Sequence, residues 1–439
     1  MNKEITFDLL SSYDKDYADN KLAKVVRHAI HAQDLQEAAR VSDEKKMMED
    51  RFSIDIKTMK ATYQKSSGRC WIFAGLNVLR EEVRKKLNLE NFELSQNYVA
   101  FYDKLEKINY FLESVIELKD RDYSDRTLNF VLSNAIGDGG QWDMFVSIIK
   151  KYGVVPKDAM PETYQSSHTR TMNKYLNRRL RRFAADAKRA DSLEAVYALK
   201  DACLKELYSY LCTCFGVPPK TFDFEYVDAD KKYHLVKGLD SKKFYDEYVG
   251  VNLDDYVSII NAPTQDKPFY HMFTVKYLGN VVGEEVSYLN LPLDEFKKVV
   301  IAQMKENNVV WFGSDCGNFG SRAEGYWDDQ SFDVDDMFEI DFDINKEDCL
   351  NSGDGCMNHA MVLTGVNLVD DKPTKWKIEN SWGEDIAHKG YFVGSDTWFD
   401  KYVYQAVVNK KYLSDDLKKL LGNDRIKLEP WDPMGSLAD

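Results

Sequence analysis

Tyr63-Gln64-Lys65-Ser66-Ser67-Gly68-Arg69-Cys70-Trp71-Ile72-Phe73-Ala74 sets a thiol between a glycine turn and an apolar run. The run continues to Arg80 and reads as a buried helix, with Gly68 making the tight turn before it, so Cys70 is expected at the positive end of that helix. A thiol attacks an amide poorly until it becomes a thiolate. A helix N-terminus and a neighbouring imidazolium each favour that form, and the sequence is expected to lower the Cys70 pKa by these two means.

The partners lie far downstream. Asn358-His359-Ala360 leads into Met361-Val362-Leu363-Thr364-Gly365-Val366, a β-rich run that fixes His359 at the start of a core strand. Lys375-Trp376-Lys377-Ile378-Glu379 alternates as a second strand and delivers Asn380 at its end. An amide oxygen on the imidazole selects the tautomer that a base needs. Gln64 stands six residues before Cys70, where its side-chain amide can join the Cys70 N–H in holding an oxyanion. Trp382 is expected to shield the Asn380–His359 contact from water. Singly, these residues read as a buried thiol, a core histidine, a turn asparagine and a surface amide. Together they supply nucleophile, base, orienting group and oxyanion donor for acyl transfer through a thioester.

The motifs Gln-x5-Cys-Trp, Asn-His-Ala and Asn-Ser-Trp-Gly resemble the papain-type peptidases. Three stretches are similar to the intracellular branch, the bleomycin hydrolases and bacterial aminopeptidases C: Gln64 to Trp71, Asp138-Gly139-Gly140-Gln141-Trp142-Asp143-Met144, and Glu429-Pro430-Trp431-Asp432-Pro433-Met434-Gly435. The resemblance runs from about residue 50 to the C-terminus. It implies an α+β fold with a papain-like core, one half helical and the other β-barrel-like. It also implies a homohexamer with its sites facing a central cavity, and aminopeptidase activity on peptides and on bleomycin-like amides, with no metal or other cofactor. Secreted papain-like enzymes carry a disulfide-forming cysteine three residues before the nucleophile, where this chain has Ser67. That substitution fits reducing surroundings.

The same resemblance assigns the substrate-binding residues. A glycine pair is often a mere turn, but Gly139 and Gly140 fall where papain-like enzymes pair backbone with the substrate main chain, and glycine permits such an approach. Trp382 is counted with them. The two prolines after Glu429 favour an extended tail, with Ser436 to Asp439 following as a thin strand. A tail ending in the non-primed half of the cleft would set Ala438 or Asp439 against the free α-ammonium of a substrate.

Composition agrees. The chain has 439 residues and a net charge of −14, from 59 basic and 73 acidic residues, which argues against general nucleic-acid binding. Its seven cysteines lack framework spacing and read mostly as buried thiols. With no signal-like start and no run of about 18 apolar residues, a soluble cytoplasmic protein without membrane partners is expected.

Cys70 and His359 stand 289 residues apart, roughly twice the 130 to 150 usual in papain-like enzymes, so an insertion of about 140 residues must separate the halves. The expected division is a helical arm over 1–49, the helical half over 50–162, a mainly helical insertion over 163–300, the β half over 301–429, and the tail over 430–439. Within the insertion, Met172, Leu176, Leu180, Phe183 and Ala187 recur at helical spacing. Val196, Leu199, Cys203, Leu207 and Leu211 follow after Ser192, until Gly216-Val217-Pro218-Pro219 breaks the pattern. Two helices so joined resemble the hook by which this family's subunits interlock.

Other readings are weaker. The basic run Arg170 to Arg189 suits a solvated or subunit-contact face better than nucleic acid, since no stacking motif accompanies it. Cys356-x-x-His359 and Cys212-x-Cys214 lack second zinc half-sites, and Gly313 to Gly325 lacks the ending of a phosphate loop. Two alternatives remain open: an endopeptidase or amidase using the same site, and a nucleic-acid-binding or chaperone-like hexamer.

Overall fold

A computed structural model describes residues 4–41 and 48–438. Its centre is a helix, Cys70–Leu87, lying against a strand, His359–Val369. The helix is apolar on most of its circumference: Trp71, Ile72, Phe73, Leu76, Leu79 and Val83 are all buried. It is therefore a core element rather than an amphipathic surface helix. It ends with Arg84, Lys85 and Lys86 in the last turn and Asn88 in the left-handed conformation at its C-cap, both favourable at the negative end of the dipole.

Two further helices enclose it. Gln96–Leu118 begins at Ser95, whose hydroxyl accepts from the Tyr98 N–H at 3.0 Å, an N-cap of the usual kind. Trp142–Tyr152 follows the Gly139-Gly140 loop and packs on both. These helices form the wall that carries Cys70.

The opposite wall is a twelve-stranded sheet. At its middle the His359 strand pairs antiparallel with Val310–Ser314 on one side and Lys372–Glu379 on the other, in a register that sets His359 opposite Ser314. The first eight residues of the His359 strand are buried, as expected of a continuous apolar run covered on both faces. His359 opens this strand and Asn380 directly follows Glu379, so two adjacent strands deliver both side chains to the same edge. The molecule is α+β, as the sequence implied.

The insertion differs in part from its sequence reading. The helix pair Arg170–Arg189 and Leu193–Phe215 is present, with Ser192 capping the second helix and Gly216 (φ 92°) ending it. Met172, Leu176, Leu180 and Phe183 are buried along with Val196, Cys203, Leu207 and Leu211. Beyond Phe215, however, the chain forms a β-hairpin, Phe222–Val227 with Tyr233–Leu239. The strands Tyr256–Ile260, Met272–Val275 and Tyr288–Asn290 then join the main sheet. These short runs lack helical periodicity, and their pairing partners, such as Val403–Asn409 and Arg425–Leu428, lie far along the chain. Much of the basic helix is engaged locally: Arg179 with Glu206, Arg182 with Asp186, and Arg181 and Lys188 with backbone carbonyls.

The described part of the N-terminal arm holds helices Phe7–Asp19 and Lys21–Ile30. The first buries no residue against the rest of the chain.

Candidate active site

Cys70 is the first residue of its helix, and the preceding Arg69 provides no side-chain cap. The N–H groups of Cys70 and Trp71 remain directed at the sulfur, whereas those of Ile72 and Phe73 already donate to the Arg69 carbonyl at 3.0 Å. Arg69 is used elsewhere. Its guanidinium grips Glu162 at 3.1 and 2.9 Å, and its Nε donates to the Ser67 hydroxyl at 3.0 Å. Ser67 in turn donates to the Gln64 carbonyl at 2.7 Å. An ion pair and a hydroxyl thus hold the turn in which the secreted enzymes have a disulfide, and all seven cysteines are free thiols.

Asp138 fastens this turn to the neighbouring loop. Its carboxylate accepts from the Gly68 N–H at 3.1 Å, Asn173 at 2.8 Å and the Thr169 hydroxyl, and pairs with Lys104 at 2.7 Å. Burial alone would raise its pKa, but Lys104 and these donors hold the carboxyl well below the usual range. The Asp138 carbonyl accepts from the Trp71 indole at 2.7 Å.

The imidazole of His359 is bonded through Nε2 to the Asn380 Oδ1 at 2.8 Å. A carbonyl oxygen can only accept, so Nε2 carries the proton and Nδ1 is left as the base. The ring lies on Trp382, with centroids 5.0 Å apart and planes 27° apart. The N–H of Ala360 points at the Cys70 sulfur at 3.4 Å, which places the thiol against the residue next to the imidazole.

Burial governs the titration of both groups. It pushes the Cys70 thiol up to about 11, an effect opposed by the N–H groups of Ala360, Trp71 and Cys70 itself. It pushes His359 down to about 4, opposed by Asn380 and assisted by the positive Arg322. The expected lowering of the thiol by the helix end is therefore present but outweighed. Neither group ionises readily alone, so charge arises by passing one proton from sulfur to ring, which creates both charges together and lets them offset each other.

Gln64 is held by both ends of its amide. Its Oε1 accepts from the Ser381 hydroxyl at 2.6 Å and its Nε2 donates to the Ser67 carbonyl at 2.6 Å. One Nε2 hydrogen remains. Ser381 was not singled out in the sequence, although it lies within Asn-Ser-Trp-Gly; its role depends on a contact across 317 residues.

Gly139 and Gly140 are covered by the chain's own tail. The Gly140 N–H donates to the Leu437 carbonyl at 3.0 Å. A Cβ on Gly139 would lie 2.2 Å from that same oxygen, and one on Gly140 would lie 2.5 Å from the Trp71 ring. Both positions therefore require glycine for close approach. The Gly139 carbonyl accepts from the buried Lys107, which pairs with Asp103 at 2.9 Å.

The tail is not the extended strand expected. Pro433–Ala438 forms a 3-10 turn, because Asp432-Pro433-Met434-Gly435 suits a tight turn with proline second. Asp432 accepts from the Met434 N–H at 2.9 Å and is anchored by Lys267 at 2.9 Å. Leu437 is buried and Ala438 half-buried beside Gly139. Asp439 lies outside the described residues. Next to Ala438, Tyr110, Phe111, Phe130, Ile136 and Leu278 line a cavity of about 90 Å³. Among the described residues no cluster of three or more His, Cys, Asp or Glu side chains could hold a metal, and no helix is long and apolar enough to cross a membrane.

Comparison with known proteins places this geometry. The model of the Peptidase C1-like family matches residues 4–435. Aminopeptidase C of Lactobacillus delbrueckii subsp. lactis is 45% identical over 100% of this chain and 99% of its own. Bleomycin hydrolase of Homo sapiens is 40% identical over 86% of each chain. The crystal structure of PepW from Lactobacillus rhamnosis HN001 superposes with a TM-score of 0.97 at 47% identity, covering 99% of both chains. The chain belongs to the Peptidase C1-like family and is a cysteine peptidase of the papain clan.

Proposed function

We propose that this enzyme is a cytoplasmic aminopeptidase of broad side-chain tolerance, working through a thioester at Cys70. The observation that carries the reading is the bond from the Gly140 N–H to the Leu437 carbonyl. A peptide lying along this wall would need that N–H for the residue before its scissile residue, and the tail already holds it. Room remains on the acyl side for about one residue, whose free ammonium would face the end of the tail. The similarity to aminopeptidases C along the whole chain supports the same reading.

In the proposed reaction the Cys70 proton passes to His359 Nδ1 as sulfur adds to the carbonyl of the first residue. The Cys70 N–H and the remaining Gln64 Nε2 hydrogen hold the oxyanion. His359 then protonates the leaving nitrogen, the C–N bond breaks and a thioester forms. Water, losing its proton to the ring, adds to the thioester and releases the amino acid and the thiol. Asn380 keeps the ring in the tautomer these steps need.

Free thiols throughout are consistent with a reducing compartment, and the exposed Phe7, Leu9, Leu10 and Tyr13 of the N-terminal helix with burial in a homohexamer. Sizing in solution tests the assembly. Paired assays on free and N-acetylated peptides test the activity: the free form should be cleaved and the blocked form spared. Equal cleavage of both would replace the reading with an endopeptidase or general amidase.

A further inference from the structure

His359 must hand its proton to the departing nitrogen, so the leaving chain starts at the imidazole. The tail closes the Gly139-Gly140 side, and the leaving chain must therefore run the opposite way, over whatever lies beyond His359. That surface is Trp382, stacked on the ring. Behind it stand Trp327, 6.1 Å from Trp382 between centroids, and the Cys316 carbonyl that accepts from the Trp327 indole at 3.1 Å.

Arg322 tops this surface. The Arg322 guanidinium lies 4.7 Å from the Trp382 ring centroid, and the residue is exposed. Among the described residues no carboxylate pairs with it. The nearby acids are already taken: Glu324 pairs with Arg40 at 3.2 Å, and Asp315 accepts from Asn358 at 2.6 Å and from the Gly317 N–H at 2.9 Å. A guanidinium lying over an indole keeps its N–H edge free and presents a planar fork that fits a carboxylate. In a chain of net charge −14, this is a local positive point at the exit side of the cleft.

We propose that Arg322 is a specificity residue that binds a carboxylate on the first residue of the leaving group. That carboxylate is the free C-terminus when the substrate is a dipeptide, or an Asp or Glu side chain in a longer peptide. The proposal rests on the aminopeptidase reading, which fixes the direction of the leaving chain.

The test compares Leu-Gly with Leu-Gly amide, and Leu-Asp-Gly amide with Leu-Asn-Gly amide, in the intact enzyme and in Arg322→Gln and Arg322→Lys. The intact enzyme should favour the carboxylate member of at least one pair by about five-fold in kcat/KM, expressed in KM and weakened by salt. The preference should vanish in Arg322→Gln and partly return in Arg322→Lys. The first pair reports the terminal carboxylate and the second the side chain. Ratios near one in the intact enzyme, or ratios unchanged in Arg322→Gln, overturn the proposal. Failure of the aminopeptidase reading shows separately, as cleavage of N-acetyl-Leu-Gly by the intact enzyme.

Discussion

The amide nitrogen of Gly140 donates to the carbonyl oxygen of Leu437 at 3.0 Å, so the last turn of the chain covers the Gly139-Gly140 loop with its own backbone. The contact joins the helical wall to a tail tethered by Asp432 to the buried Lys267. On the function proposed above, preference for substrate ends is a property of this occupancy rather than of Cys70, His359 and Asn380.

Removing Leu437–Asp439 should free the Gly140 N–H and let the enzyme cleave N-acetylated peptides. Gly139→Ala should do the same by a different route, since its methyl would lie 2.2 Å from the Leu437 oxygen and displace the tail. Mass spectrometry of digests of a blocked peptide checks both; products arising only from free N-termini would count against the tail as gate.

Gln64→Ala should lower kcat by about 100-fold to 1,000-fold with little change in KM, as expected for loss of a donor used mainly in the transition state. Ser381→Ala removes only the hydroxyl that holds Oε1 at 2.6 Å. A smaller loss of about ten-fold in steady-state assays is expected there, from a loosened donor rather than a missing one.

Cys70→Ala should abolish turnover while leaving the fold and the solution size unchanged, because the side chain is a small part of the core. Sizing and circular dichroism should match the parent. Residual hydrolysis of aminoacyl amides would exclude Cys70 as nucleophile.

Activity should fall on the acid side as pH drops through about 4, where His359 gains a proton and can no longer accept one from the thiol. On the alkaline side it should fall towards about 11, where the thiol ionises without protonating the ring. Asn380→Asp places a negative charge beside the imidazole and should raise its pKa, moving the acid limb upward. Arg322→Gln removes a positive charge that lowers His359 and should move the limb the same way. kcat/KM against pH reads both.

Arg80 and Glu379 form an ion pair at 2.7 Å with both side chains 1% exposed, and Asn77 donates to the same carboxylate at 2.8 Å. Arg80→Met should cost about 3–5 kcal/mol by denaturant unfolding, because a carboxylate is left buried without its partner. Burial already pushes Glu379 up to about 7 from its ordinary 4.5. A raised pKa gives stability that is full below the unfolded value and lost as pH rises through the folded one. Removing Arg80 raises the folded value further, so the variant's deficit should be larger at pH 8 than at pH 5.

The sequence by itself determined the chemistry and its local setting. Gly68 before an apolar run fixed Cys70 at a helix start, and β-rich runs fixed His359 at a strand start and Asn380 at a strand end, because these signals lie within ten residues of the side chains they place. It also marked the helix pair 170–215 through its apolar spacing. What only the tertiary structure decided depends on partners distant in the chain. Leu437 reaches Gly140, Ser381 grips Gln64, and strands between Tyr256 and Asn290 find the main sheet. Burial pushes the Cys70 thiol up and the His359 imidazole down, against the helix field. Local patterns encode which conformation a segment adopts, whereas occupancy of the cleft and the desolvation of its charges arise only when surfaces hundreds of residues apart exclude water together.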